Sequence, residues 1–364
     1  MASRPFAVSV RGGKLAGTVL HGGRKSNPVV LTGRVFSPVA RSCGVISKKT
    51  RNRSLSGKNT SISILSKYTL LWTGRNTIRS CPRPKNLNIY TAGHIPFQVG
   101  LDGILAEGMN EIAHVEELIW EFSDLDRQRY FKSEGEWMSY VIQTTFGRFG
   151  PLLDVSSRKQ ERKIDAMVAA LVDKLKNKPV PVCTTLVIDD LIVQKLFDPD
   201  GFLEKPENRY LPSSYLERFR NGREKHQLQF KGGEVFAPFK YILDKKLLVA
   251  LKAIKIPLLL STDAGTGTMG AVPGFSLHDE LRILVESGFT PYEALAAGTV
   301  VASKIVQRIN GQDEFGTIVP GKRADLLLLA QNPLDDISNA RKILGVMAAG
   351  RWYDQESIAD MLDK

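Results

Sequence analysis

Short apolar runs alternate with longer segments of helical periodicity from about residue 86 to the end of the chain. Residues 88–92, 111–114 and 182–188 are predicted strands, and the apolar run 256–260 is predicted to be a strand buried on both faces. Alternation of strands and helices is the pattern of βα units around a parallel sheet. The sequence therefore predicts an α/β fold beyond residue 86.

Helices are predicted between these strands. One spans 100–107 and another spans 238–252. A third follows from apolar residues that recur on one helical face, namely Ile164, Met167, Val168, Leu171, Val172 and Leu175. The polar segment 198–233, rich in Pro, Arg and Gly, is predicted to be a long loop with short helices over one end of the sheet.

The last hundred residues contain sequence patterns that mark the starts of helices and a turn between strands. Capping boxes predict one helix start at Ser276, paired with Asp279, and another at Thr290. Residues 315–329 are predicted to hold two short strands split by a Pro-Gly turn, followed by a strand at 343–348. These strands predict a small β-rich tail.

Charge divides the chain into two unlike parts. Residues 1–101 hold 17 Lys and Arg and no acidic residue, which leaves 33 of the chain's 50 basic residues against all 38 Asp and Glu beyond them. Residues 1–85 are also rich in Ser, Thr and Gly and show no sustained period, so they are expected to be disordered. The organisation predicted is a basic segment at 1–85, a main domain at 86–310 and a β-rich part at 311–364.

Three interpretations of the basic segment stay open. Its Arg-rich, Ser-rich, acid-free composition is typical of an organelle transit peptide. A basic arm could also contact nucleic acid phosphates, but it lacks an RNA-binding motif and interleaved aromatics, so nucleic acid is not an expected partner. The third interpretation is a segment foreign to the fold, such as a gene-model artefact.

Cysteine usage indicates a reducing compartment, and hydropathy argues against a membrane span. The three cysteines lie far apart and form no Cys-x-x-Cys pair. No run of about 18 apolar residues exists, so no membrane partner is expected. A cytoplasmic location is predicted, with an organelle as the alternative if the first 80 residues are a transit peptide.

Three polar residues stand at predicted strand ends. His94 and His114 follow successive strands, and Asp263 follows the apolar strand 256–260. Carboxyl ends of parallel strands meet on one side of the sheet, and imidazole and carboxylate are ligands of Zn²⁺. The pattern predicts a metal site, although an isolated His is more often structural and Asp263 could be a turn residue.

A glycine-rich stretch after the same strand resembles a nucleotide-binding motif. Residues 265–270 match Gly-x-Gly-x-x-Gly, the dinucleotide-binding pattern. In that motif the last glycine lies inside the first helix, whereas here Pro273 and Gly274 intervene. No dinucleotide cofactor is predicted.

Several runs together resemble a known family. They are Gly-His-Ile-Pro at 93–96, Glu-Ile-Ala-His-Val-Glu at 111–116, Ser-Thr-Asp-Ala-Gly at 261–265, and the stretches 273–281, 288–295 and 315–326. The chain from about residue 86 resembles amidohydrolases of the imidazolonepropionase and prolidase-like branch.

The resemblance implies a (β/α)8 TIM-type barrel with a small C-terminal β-rich composite domain, present here in part as strands 5–8. It implies that His94, His114 and Asp263 bind a divalent metal, Zn²⁺ above all. It assigns Asp263 proton transfer, and it places His278 near the substrate. The activity implied is hydrolysis of non-peptide amide, lactam or dipeptide carbon–nitrogen bonds by metal-activated water.

The sequence departs from the family before His94. The family's first ligands are a His-x-His pair, and a carboxylated Lys or a Glu bridges the metals; only His21 precedes His94, without a second His beside it. A truncated, catalytically inactive homologue is therefore the alternative function. A small-molecule substrate is the expected partner, and a partial barrel with exposed edges also predicts association with another copy.

Overall fold

The computed structural model describes residues 9–11, 14–16, 29–32, 90–152, 157–264 and 269–362. Most of the segment 1–85, and with it the three interpretations given above, lies outside the described residues. Within it three strands are placed: β1 (Ser9–Arg11), β2 (Lys14–Ala16) and β3 (Val29–Thr32). The first two pair as an antiparallel hairpin.

Four short strands form a parallel sheet. They are β4 (Ala92–Gly93), β5 (Glu111–Ile112), β6 (Val182–Cys183) and β7 (Leu258–Leu259), and they lie in the order β4-β5-β6-β7. Each strand pairs with its neighbour in parallel, for example Cys183 opposite Leu259. The α/β class with a parallel sheet is confirmed, and within the described residues the sheet does not close into a barrel.

Helices surround and connect these strands. They are α1 (Gly100–Glu107), α2 (Glu134–Phe149), α3 (Arg158–Lys176), α4 (Val187–Phe197), α5 (Pro199–Leu203), α6 (Ser213–Gln229), α7 (Phe236–Ala253), α8 (Phe275–Glu286), α9 (Pro291–Ala297) and α10 (Val300–Asn310). Short 3-10 helices span Val115–Phe122, Gly150–Leu152, Pro206–Tyr210 and Ile337–Arg341. None of the described helices combines the length and apolar composition needed to cross a bilayer.

A second sheet lies in the C-terminal part. It consists of β8 (Leu326–Leu329), β9 (Ile343–Ala348) and β10 (Arg351–Asp354), and it is followed by helix α11 (Gln355–Leu362). The order is β10-β9-β8-β3, all antiparallel. Residues 29–32 thus join the β-rich tail, although no strand period marks them in the sequence.

The predicted apolar face of α3 is buried. Leu171 and Leu175 pack in the same core as Leu243 and Leu247 of α7. Burying one such side chain stabilises the fold by about 1.5–3 kcal/mol. Helix α7 in turn contacts β7 and the 3-10 helix Val115–Phe122, so this pair of helices packs beside the parallel sheet.

Three local predictions are wrong. The strand predicted at 182–188 ends at Cys183, and helix α4 begins at Val187. The segment 198–233 contains the 17-residue helix α6 and is not mainly a loop. Of the two strands predicted at 315–329 only β8 forms.

The two predicted capping boxes have different outcomes. At Thr290 the box forms, because the Thr290 hydroxyl accepts from the Glu293 backbone N–H at 3.2 Å and the Glu293 carboxylate accepts from the Thr290 N–H at 2.8 Å. The box predicted at Ser276 does not form. Helix α8 begins at Phe275, and Asp279 instead accepts from Arg341 at 2.7 Å.

Candidate metal centre

His94 and His114 come together at the carboxyl end of the parallel sheet. Each follows its strand, β4 or β5, by one or two residues, and the two strands are hydrogen-bonded neighbours. Their ring centroids lie 4.7 Å apart with the planes tilted by 37°. His114 is buried, whereas the His94 side chain is 39% exposed. Two imidazoles are therefore presented side by side, with the His94 ring at the open side.

Glu117 adds a carboxylate that the sequence analysis did not assign to the site. It lies in the 3-10 helix Val115–Phe122, which begins directly after His114. Its Oε1 contacts the His94 Nδ1, and its Oε2 accepts from the Ile95 backbone N–H at 2.5 Å. Ligand atoms of His94, His114 and Glu117 all lie within 4.8 Å of one another. His114 itself is extended and precedes the helix, so the spacing His-x-x-Glu gave no helical signal for this contact.

Burial and charge together set the protonation of this group. Burial alone would lower the pKa of His94, but the charge of Glu117 and its hydrogen bond outweigh burial and raise that pKa to about 9. Burial lowers the pKa of His114. Burial opposes ionisation of Glu117 as well, yet the neighbouring His94 holds the pKa of that carboxyl below its usual value. Glu117 and His94 thus form a partly exposed ion pair beside the buried His114.

Thr185 supports His114 from the next strand. Its Oγ1 lies 3.3 Å from the His114 Nδ1, and the residue is fully buried just beyond β6. Its backbone has a φ of 46°, a conformation that β-branched residues seldom adopt. Strained backbone of this kind persists where the surrounding structure imposes it, often at functional sites.

Asp263 lies beyond β7, at the same end of the parallel sheet as the two histidines. It is partly buried, and its charge acts on both His94 and His114. Burial raises the pKa of Asp263, an effect that the nearby His114 and His94 oppose. Its φ of 48° makes it the second residue at this end of the sheet in the left-handed region. The glycine-rich stretch after it, 265–268, lies outside the described residues.

A buried ionic cluster lies next to the site. The Lys240 Nζ is 2.6 Å from Asp189, 2.6 Å from Asp244 and 3.5 Å from Glu116. Burial raises the pKa of Asp189 and of Asp244, and these two carboxyls also interact by a hydrogen bond. Two adjacent buried carboxyls share a proton more readily than they both ionise. Glu116 connects this cluster to the site, because its charge also acts on Asp263 and His94.

His278 lies on helix α8. Its Nδ1 is enclosed and has no hydrogen-bond partner among the described residues. Burial, and then the charge of Arg341, lower its pKa to about 4. The proposed contact of His278 with substrate stays a prediction.

Comparison with known protein families indicates the class to which this chain is similar. A model of the amidohydrolase family matches residues 242–353. This match confirms the resemblance to amidohydrolases, hydrolases of carbon–nitrogen bonds, in the part of the chain that contains Asp263 and His278. His94, His114 and Glu117 lie outside the matched residues, so their assignment depends on geometry.

Several solved structures are similar to part of this chain. A Xaa-Pro dipeptidase with bound methionine is 17% identical over 73% of this chain and 45% of its own, with a TM-score of 0.40. A bottromycin amidohydrolase is 18% identical over 75% and 52%, with a TM-score of 0.47. Molinate hydrolase is 18% identical over 73% and 43%, with a TM-score of 0.40. The chain thus spans about half the length of these proteins, and no curated protein matches it.

Proposed function

We propose that this chain is a divalent-metal-dependent hydrolase of carbon–nitrogen bonds in non-peptide amides, lactams or dipeptides. The observation that supports the proposal is the pairing of His94 and His114 at the carboxyl ends of neighbouring parallel strands, with Asp263 after β7 of the same sheet, in a chain with an amidohydrolase match. Polar residues at this end of parallel strands are the usual site of catalysis in β/α folds.

The donor set fits a borderline cation such as Zn²⁺. Two imidazoles and one carboxylate, from His94, His114 and Asp263, leave a coordination position for water or substrate. A bound ion would polarise the scissile carbonyl and lower the pKa of water. Glu117 also lies within 4.8 Å of the histidine ligand atoms, but its two oxygens already contact His94 and the Ile95 N–H, so we assign the carboxylate position to Asp263.

Asp263 is the residue that transfers the proton. Water adds to the carbonyl carbon, and the carboxylate of Asp263 accepts the proton that water releases. The carboxyl then returns this proton to the leaving nitrogen as the carbon–nitrogen bond breaks, so that one water is consumed and an acid and an amine are formed.

Elemental analysis and a substrate panel test this function. Purified protein should contain about one equivalent of divalent metal. N-acyl amino acids, dipeptides and lactams are then assayed with and without chelator, and turnover should stop on chelation and return with Zn²⁺. Absence of metal, or turnover that ignores the chelator, would contradict the proposal.

An inactive homologue is the second candidate. The five histidines of the chain include no His-x-His pair, which the resemblance implies as the first ligands. This candidate predicts metal binding without turnover on any member of the panel. We further propose a small-molecule substrate, a cytoplasmic location and self-association, the last testable by light scattering of the purified chain.

A further inference from the structure

Two carboxylates of one short helix reach the same neighbouring segment. Glu117 and Glu121 lie four residues apart in the 3-10 helix Val115–Phe122. Glu117 Oε2 accepts from the Ile95 N–H at 2.5 Å, and Glu121 Oε1 accepts from the Leu101 N–H at 3.1 Å. Both therefore bind backbone of the segment that runs from β4 into α1.

The two carboxylates differ in their second partner. Glu121 also accepts from the Arg127 guanidinium at 2.7 Å, whereas Glu117 contacts the Nδ1 of His94. Their side chains are similarly enclosed, at 11% exposure for Glu117 and 7% for Glu121. The helix thus provides two matched anchors, of which only Glu117 contacts a histidine of the candidate site.

The contact with Glu117 determines which nitrogen His94 can offer. An ionised carboxylate only accepts hydrogen bonds, so the Nδ1 that contacts it carries a hydrogen. A nitrogen that carries a hydrogen has no lone pair for a cation, so a cation has to bind the Nε2, which releases its own hydrogen on binding. If Glu117 and the Nδ1 both bound the ion, their mutual hydrogen bond would have to break.

His94 depends on a hydrogen-bond partner for the orientation of its ring more than His114 does. The His114 ring is enclosed and is also held by Thr185, whereas the His94 side chain is 39% exposed and lies at the open side. An exposed ring without a partner samples several rotamers, and ordering it on binding costs free energy.

We propose that Glu117 is a positioning residue: it holds His94 by Nδ1 and ties Ile95 in place, so that the Nε2 faces the cation, and it is not itself a ligand. This inference rests on the proposed function for its metal, but the hydrogen bond can be tested without one. Carboxylates in this role hold ligating histidines in many metal sites.

Three proteins test it: the natural chain, Glu117→Gln, and Glu121→Gln as the matched control. The first measurement is ¹H–¹⁵N NMR of histidine ring nitrogens in metal-free protein. The natural chain and Glu121→Gln should show a protected, downfield Nδ1–H of His94. In Glu117→Gln, which has one neutral acceptor oxygen for two donors, this signal should move upfield and exchange faster with water. The second is Co²⁺ titration followed by visible absorption. Glu117→Gln should bind about 10–100-fold more weakly with an unchanged spectral shape, and Glu121→Gln should bind within about twofold of the natural chain.

Two results would contradict the positioning role of Glu117. A changed Co²⁺ spectrum in Glu117→Gln would make Glu117 a ligand, and unchanged NMR and affinity would leave it no part in holding His94. If the natural chain binds no Co²⁺, the proposed function fails, and the metal-free NMR alone then decides whether Glu117 holds His94. Should Glu117→Gln not fold, Glu117→Asp serves in its place, because a shorter side chain cannot reach both the ring and Ile95.

Discussion

The Lys240 ammonium on α7 lies 2.6 Å from the Asp189 carboxylate on α4, and both groups are almost completely buried. Burial opposes the charge on Lys240, but Asp189, Asp244 and Glu116 outweigh it and raise the lysine pKa. Removing one charged partner from such a cluster leaves the others buried and uncompensated, which costs far more than the pair contributes net. The cluster therefore links two helices behind the candidate metal centre.

Substituting Lys240 by Met should lower the free energy of unfolding by about 3–5 kcal/mol at pH 7. The loss should be larger at higher pH, because the acids left without a cation then ionise inside the protein. Urea unfolding followed by circular dichroism measures it. Lys246→Met is the control on the same helix, since its partners Glu161 and Asp165 are half-exposed, and it should cost at most about 1 kcal/mol. Equal losses in the two variants would contradict the account.

The start of helix α4 shows where sequence reasoning reaches its limit. The apolar run 182–188 predicts a continuous strand, yet the chain turns at Thr185 and begins a helix at Val187. Glu280 from α8 caps this start by accepting from the Leu186 N–H at 3.1 Å and the Val187 N–H at 2.6 Å. A cap supplied from about ninety residues away leaves no local signal, whereas the box at Thr290 is local and was predicted.

Glu280 should make stability depend on pH. Burial raises its pKa to about 7 from 4.5, so the folded chain binds this proton more tightly than the unfolded chain does. The stabilisation by this proton is complete below about pH 4.5 and is lost as pH rises toward 7, with a total on the order of 3 kcal/mol. Urea unfolding between pH 5 and 8 should show Glu280→Gln losing less stability over this window than the natural chain.

The control for Glu280 lies on the same helix. Glu286 is 47% exposed and pairs with Arg282. Glu286→Gln should keep the pH dependence of the natural chain. If Glu280→Gln also keeps it, Glu280 is not the group that titrates.

The candidate site was predictable in part, for a physical reason. His94, His114 and Asp263 stand immediately after apolar strand segments, and parallel strands bring such positions to one edge whatever the loops do. Glu117 and Thr185 could not be found in this way. Their contacts depend on the 3-10 path of residues 115–122 and on a left-handed turn at Thr185, and neither conformation has a local sequence pattern.

We expect the Thr185 hydroxyl to be needed to hold the His114 ring. Thr185→Val keeps the branched shape but removes the Oγ1 that lies 3.3 Å from His114. We expect weaker Co²⁺ binding and a loss of about 1 kcal/mol in stability, because a buried ring nitrogen loses its partner. Thr185→Ser retains the hydroxyl and relieves the branching at a φ of 46°, so it should bind Co²⁺ like the natural chain. Normal binding by Thr185→Val would show that the hydroxyl does not hold His114.

Asp263 offers the most direct test of the chemistry. Its φ of 48° makes Asn the suitable replacement, because Asn tolerates the left-handed region better than Ala does and has nearly the same size. Asp263→Asn cannot shuttle a proton, so on any substrate that the natural chain hydrolyses we expect kcat to fall by about 100-fold or more. Its thermal unfolding midpoint should stay close to that of the natural chain. A kcat within tenfold of the natural value would assign the proton transfer to another group, of which the neighbouring Glu116 is the first to substitute.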